Sequence, residues 1–88
     1  MSKLLKVLGQ EYIVEILEFI QAHGKANFKD FKDLAKHPAS ISRALAKLRV
    51  EGLVRRRVLD DEKRSVEYYI TEKGKKVITI LKEIIELT

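Results

Sequence analysis

Apolar residues recur first at helical and then at strand spacing along this chain, and the change of period divides it. Tyr12, Ile13, Ile16, Leu17 and Ile20 share one face of a helix expected over about residues 10–23. Val14 and Phe19 widen that face, and Gly24 is placed to end the helix. Residues 3–8 suggest a short preceding helix, set apart by Gly9, and Lys25-Ala26-Asn27 one small strand. Asn27 is a good N-cap for a further helix over Phe28–Lys36. In that helix Phe28, Phe31, Leu34 and Ala35 form a stripe, while Lys29, Asp30, Lys32 and Asp33 face water.

Pro38 breaks the chain, because proline suits a helix's first turn and keeps the preceding residue extended. A third main helix is expected over residues 39–51, burying Ile41, Ala44, Leu45 and Leu48 and closed by Gly52. The period then becomes two. Leu53–Leu59 reads as a strand, Asp60–Ser65 as a polar turn, and Val66–Ile70 as the return strand. Thr71 caps a last helix over 72–87. The expected class is therefore mainly α with a small β-hairpin (α+β), in the order α-(β)-α-α-β-β-α of a winged helix-turn-helix, with residues 1–88 forming one domain.

Charge adds a location to this pattern. The formal net charge is +5, and residues 36–64 carry all of it, with nine basic residues against four acidic ones. Positive charge confined to one supersecondary unit points to a polyanion facing that unit. Here the unit is of the kind that inserts a helix into DNA. The candidate DNA contacts are Ser40, Ser42, Arg43, Lys47, Arg49 and Lys36 on and before the third helix, and Lys63 and Arg64 at the tip of the hairpin wing, residues 59–66. Small hydroxyls near the helix start let the backbone approach, and Arg43 can read guanine with two hydrogen bonds. Lys47 and Arg49 lie further back, where phosphates are expected. Of Arg55, Arg56 and Arg57, the first and last share a sheet face, and at least one is expected to pair with Glu67 or Glu51. Asp60, Asp61 and Glu62 either fix the wing turn or pair with its two cations. Tyr68 is expected in the core.

Eighty-eight residues bury only about 60 to 65% of their unfolded surface. Small folds gain support from disulfides, a metal or a partner. Cysteine is absent, and His23 and His37 have no ligand-like spacing, so no cofactor or metal is expected and a second copy is the simplest partner. The last helix has more apolar surface than one core face needs. Its stripe is read as Val77, Ile80, Leu81 and Ile84, with further apolar residues beside it. Residues 1–9 and 72–88 are the expected dimerisation elements, through Leu4, Leu5, Leu8, Ile78, Leu81 and Ile85. No apolar run approaches a membrane span, and the N-terminus is too short and charged for a signal peptide, so a cytoplasmic protein is expected. Abundant Lys and Glu, with one Asn, two Gln and neither Cys nor Trp, match the bias of hyperthermophile proteins.

The segments 12–17 (YIVEIL), 27–34 (NFKDFKDL), 40–48 (SISRALAKL), 51–56 (EGLVRR) and 66–74 (VEYYITEKG) resemble the winged-helix transcriptional regulators, most closely the HxlR and MarR type. The last segment is similar to that family's Y-x-L-T-x-x-G signature, and the resemblance runs from Leu8 to about Ile84. It implies a dimeric regulator of double-stranded DNA, with Ser40, Ser42, Arg43 and Lys47 in the groove and Lys63 and Arg64 at the wing. There are departures. The cysteine of many sensing members is missing, the metal ligands of ArsR-type relatives are not matched, and little chain remains for an effector pocket of MarR type. A small-molecule effector is therefore not expected. Nor is an enzyme: there is no phosphate-cradling Gly-rich loop and no His–carboxylate pair at useful spacing. A non-specific architectural DNA-binding protein and a winged-helix protein-interaction module remain the alternatives.

Overall fold

The computed structural model describes residues 3–10, 12–62 and 65–87. Helix α1 (Lys3–Leu8) leads into α2 (Ile13–His23), then strand β1 (Lys25–Asn27), a 3-10 helix (Phe28–Phe31) and helix α3 (Pro38–Val50). Strands β2 (Val54–Val58) and β3 (Val66–Ile70) form the wing, and α4 (Glu72–Glu86) closes the chain. The small antiparallel sheet has the order β1-β3-β2. This is a mainly helical, winged helix-turn-helix fold.

Helix α2 is the centre of the core. Ile13, Ile16, Leu17 and Ile20 are fully buried, as their i, i+3, i+4, i+7 spacing requires. Gly24 ends the helix at φ 82°, with its N–H on the Ile20 carbonyl. One core cluster joins the buried residues of α2 to Val7, Ala26, Phe31, Ile41, Ala44, Leu45, Leu48, Leu53, Val54, Tyr68 and Ile78.

The segment expected as a helix over Phe28–Lys36 differs. Asn27 does cap it: its side chain accepts from Asp30 N–H, and the Asp30 carboxylate accepts from Asn27 N–H. The helix is one 3-10 turn, however, and residues 32–34 follow as turns. Phe28, Phe31 and Leu34 are spaced by three, which matches the 3-10 repeat rather than 3.6. Pro38 is the first residue of α3 and holds His37 extended (φ −114°, ψ 122°), leaving no room for a longer helix before it.

Helix α3 ends in a Schellman motif. Leu53 N–H bonds the Leu48 carbonyl at 2.9 Å and Gly52 N–H the Arg49 carbonyl at 3.0 Å, with Gly52 at φ 74°. Leu48 and Leu53, both fully buried, supply its apolar contact. The start of α4 is fastened to this end. Thr71 caps α4 by accepting from Gly74 N–H at 3.0 Å, and its hydroxyl donates to the Gly52 carbonyl at 2.6 Å. Lys73 Nζ donates to the Glu51 carbonyl at 2.7 Å.

Helix α4 turns a different face inward from the one its apolar pattern suggested. Ile78 is 1% exposed within the subunit's own core, so it is not on any surface a second copy could reach. Gly74 is buried on the same face, four residues earlier, and Val77 and Leu81 are half-buried against the core. Ile80, Ile84 and Ile85 are each more than half exposed, as is Leu87 at 87%. No helix among the described residues is long and apolar enough to cross a membrane.

Candidate nucleic-acid interface

Burial of Ile41, Ala44, Leu45 and Leu48 fixes the rotation of α3 and leaves the opposite face in solvent. Arg43 and Lys47 are exposed one turn apart on that face; Ser42 and Arg49 are exposed on one flank, and Ser40 is half-buried on the other. Lys36 is exposed before the helix begins. Lys63 and Arg64 lie outside the described residues.

Ion pairing separates the basic residues into two kinds. Among the described residues two ion pairs form, Lys25–Glu67 at 2.9 Å and Lys75–Glu72 at 3.4 Å. Arg43, Lys47, Arg49, Arg55, Arg56 and Arg57 are exposed and take part in neither. The expected pairing of an arginine with Glu67 or Glu51 is therefore corrected. Glu67 stands directly across the hairpin from Arg57, but its partners are Lys25 from β1 and the Tyr69 hydroxyl, which donates to it. Lys25, across the sheet on β1, and Tyr69, two residues along β3 itself, take the carboxylate, and the arginines of β2 form no ion pair with it, although the charge of Arg57 also acts on it. Arg55 and Arg57 lie on the Glu67 and Tyr69 face of the sheet, whereas Arg56 lines up with buried Tyr68 and Ala26. In the wing turn, Asp61 accepts from Ser65 N–H at 3.0 Å and Leu59 N–H bonds the Ser65 carbonyl at 2.7 Å, so this acidic residue fixes the turn.

The Glu67 site has a pH signature. The hydrogen bond from Tyr69 and then that from Lys25 hold its carboxyl below the ordinary carboxylate value, and Lys25 is raised in turn by the same hydrogen bond. A lowered folded-state pKa adds stability that is complete above the unfolded value and lost as pH falls through the folded one. Glu67→Gln should therefore flatten the acid limb of a stability-versus-pH curve and leave its neutral shape alone. Chemical denaturation from pH 2.5 to 7 measures this, and parallel curves for the two proteins would refute the assignment.

Two side chains near α3 are not among the expected DNA contacts; the sequence leaves open whether Tyr12 is core or reaches DNA and gives no signal for Gln10. Gln10 and Tyr12, from the α1–α2 junction, line a hollow with Ser40, Arg43, Ala44 and Lys47. Gln10 Oε1 is buried there without a hydrogen-bond partner among the described residues. Tyr12 adopts a left-handed backbone (φ 68°), which a bulky residue rarely does and which no sequence pattern announces. A second hollow, between α3 and β2, is lined by Ala46, Arg49, Val50, Val54 and Arg55. It places Arg55, near the start of β2, beside α3. Among the described residues no cluster of His, Asp or Glu could hold a metal ion.

A family model described as HxlR-like helix-turn-helix matches residues 7–88. The chain belongs to this family. Its members are transcriptional regulators and not enzymes, and the HxlR-type assignment implies DNA binding. Within the resemblance drawn from sequence, this match favours the HxlR side over the MarR side. An uncharacterized protein of Methanocaldococcus jannaschii is 31% identical over 80 residues, covering 88% of this chain and 67% of that protein. The structure of ytcD, assigned as an HTH-type transcriptional regulator, superposes with a TM-score of 0.85 at 26% identity, covering 99% of this chain and 93% of that one. A protein of Enterococcus faecalis V583 assigned to the MarR family shares the fold alone, with a TM-score of 0.86 at 15% identity over 99% of this chain and 86% of that one.

Proposed function

We propose that this HxlR-type regulator binds specific sites on double-stranded DNA as a homodimer, with residues 39–51 in the major groove and residues 59–66 on the flanking backbone. The observation that carries this reading is the exposed, uncommitted set of cations on one supersecondary unit. Arg43 and Lys47 on α3, and Arg49 and Arg55 between α3 and β2, have no carboxylate partner among the described residues. Elsewhere the chain balances its charge. Free cations on a helix of this exposure give affinity through phosphates, and the helix's outer side chains give sequence discrimination. Ser40, Ser42, Arg43 and Lys47 are assigned to the groove, and Lys36, Arg49, Lys63 and Arg64 to phosphates. Arg55 joins them because it stands next to Arg49.

The test is binding to a random-sequence duplex and to a selected duplex across a salt series. A log–log slope of about −0.9 per phosphate contact is expected. So is a preference of roughly 10³ or more for the selected site. The same slope without preference would instead support a non-specific architectural protein. Failure to bind either duplex near physiological salt would point to a protein-interaction module.

The dimer is assigned to α1 and the outer face of α4. Ile80, Ile84 and Leu87 recur at i, i+4, i+7 and are 55%, 53% and 87% exposed, with Leu5 at 58% and Ile85 at 53%. Leu4, Leu8 and Leu81 are half-buried against the core and border this surface. Ile80 and Ile84 thus replace Ile78 in the proposed interface. Burying a helix face of this kind also answers the modest core of an 88-residue chain. Ile84→Glu should convert a sedimenting dimer to a monomer at micromolar concentration. A dimer unchanged by both Ile80→Glu and Ile84→Glu would exclude this face.

A further inference from the structure

The outermost line of α3 is short of hydrogen-bonding groups. Ala39, Arg43, Ala46 and Val50 follow one another at spacings of four, three and four residues, which places them on a single face. That face lies opposite buried Ile41, Ala44, Leu45 and Leu48, and all four of its residues are exposed, Val50 at 77%. In a chain with 35% charged residues, the most solvent-facing line of its most basic helix carries one cation and three apolar side chains. Lys47, Arg49 and Ser42 stand to either side of it. An apolar line fenced by cations suits a surface that is apolar in places and anionic at its edges.

Resting on the reading of α3 as the helix in the groove, we propose that Ala46, with Ala39 on the other side of Arg43, recognises the C5-methyl group of thymine. The operator half-site would then be a guanine flanked by thymines. Thymine's methyl is the apolar group among the base edges of the major groove, where every other feature is a donor or an acceptor. An alanine methyl pressed onto a donor or acceptor edge would leave that group dehydrated and unpaired, so the same side chain attracts thymine and rejects its alternatives. Distances along the helix agree. Arg43 and Ala46 are three residues apart, about 4.5 Å of helix rise, against about 3.4 Å between successive base pairs. Ala39 is about 6 Å from Arg43 in the other direction. Both alanines therefore fall within one or two base pairs of the base that Arg43 reads. Their short side chains let the helix backbone come close enough for Arg43 to reach that base.

The experiment selects preferred duplexes from a random library with the intact protein. Each thymine beside the selected guanine is then replaced by uracil, which removes the methyl group and nothing else. One buried methyl is worth about fourfold in affinity, so uracil at one of these thymines should weaken binding about fourfold in one half-site and roughly fifteenfold when the same position is changed in both. Uracil placed elsewhere in the site should have no effect. In Ala46→Gly the thymine-to-uracil ratio should fall toward one. That ratio is internal to the variant, so any loss of helix stability cancels. A strongly selected site that lacks thymine at these positions, or that binds equally well with uracil, would overturn the methyl assignment and leave site-specific binding intact. A library that yields no preferred site would overturn both.

Discussion

Replacing Gly74 by alanine should lower the thermal midpoint by roughly 12 to 24 °C, the equivalent of about 3 kcal/mol in a domain of this size. On an open helix the same change would stabilise by up to about 1 kcal/mol, because alanine is the better helix former. Here packing reverses the sign. A Cβ at Gly74 would sit 2.2 Å from the Leu53 carbonyl oxygen and 2.7 Å from Ile70 Cγ1. The carbonyl cannot move aside. Leu53 is fully buried, its N–H is bonded to Leu48, and its oxygen accepts from Thr71 N–H at 3.0 Å. Relief would have to come from displacing α4, which would pull Thr71 and Lys73 off the carbonyls of Gly52 and Glu51. The cost is then both stability and the seating of α3. Gly9→Ala is the control, since a Cβ there meets nothing nearer than 3.7 Å, and its midpoint should stay within a few degrees. Calorimetry of the two variants decides the matter, and a Gly74→Ala protein that melts with the parent would show that the helices are free to separate.

The same glycine explains what was legible in the sequence and what was not. Local signals read correctly: Asn27 and Thr71 cap the elements they precede, Gly24 and Gly52 end theirs, and alternation marks β3. These depend on a residue and its near neighbours. Errors arose where a distant partner decides. Helix α4 has apolar residues at 77, 78, 80, 81, 84, 85 and 87, which make two overlapping faces, and periodicity alone cannot choose between them. The close approach of Gly74 to Leu53 chooses, because it turns the face holding residues 74 and 78 inward. Likewise Glu67 was offered the arginines across its hairpin, but β1 joins β3 from the other side and brings Lys25 to it. The helix expected over Phe28–Lys36 is a different case, shortened to one turn by local features, an apolar spacing of three and Pro38 just beyond it. At the candidate interface, Arg43 and Lys47 could be placed from helical spacing. The proximity of Gln10, Tyr12 and Arg55 to α3 could not, since each comes from a separate element.

Arg43→Ala should cost about 1 to 3 kcal/mol on the selected site, a loss of roughly 5- to 150-fold, while binding to random duplex changes far less. The argument is one of position and of chemistry. Arg43 lies on the outermost line of α3, has no ion-pair partner among the described residues to give up, and is the one residue on that line able to hydrogen-bond a base edge. A guanidinium can span the two acceptors of guanine, whereas a phosphate needs only charge. Arg43→Lys separates the two roles. If Arg43 reads a base, lysine retains the salt dependence and loses most of the discrimination; if it only neutralises a phosphate, lysine restores binding in full. Lys47→Ala provides the contrast, with affinity falling alike on selected and random duplex and the salt slope shrinking by about one contact. Fluorescence anisotropy with both duplexes at two salt concentrations measures all four proteins. Equal losses on both duplexes for Arg43→Ala would move base reading off this residue and onto the remaining exposed side chains of α3.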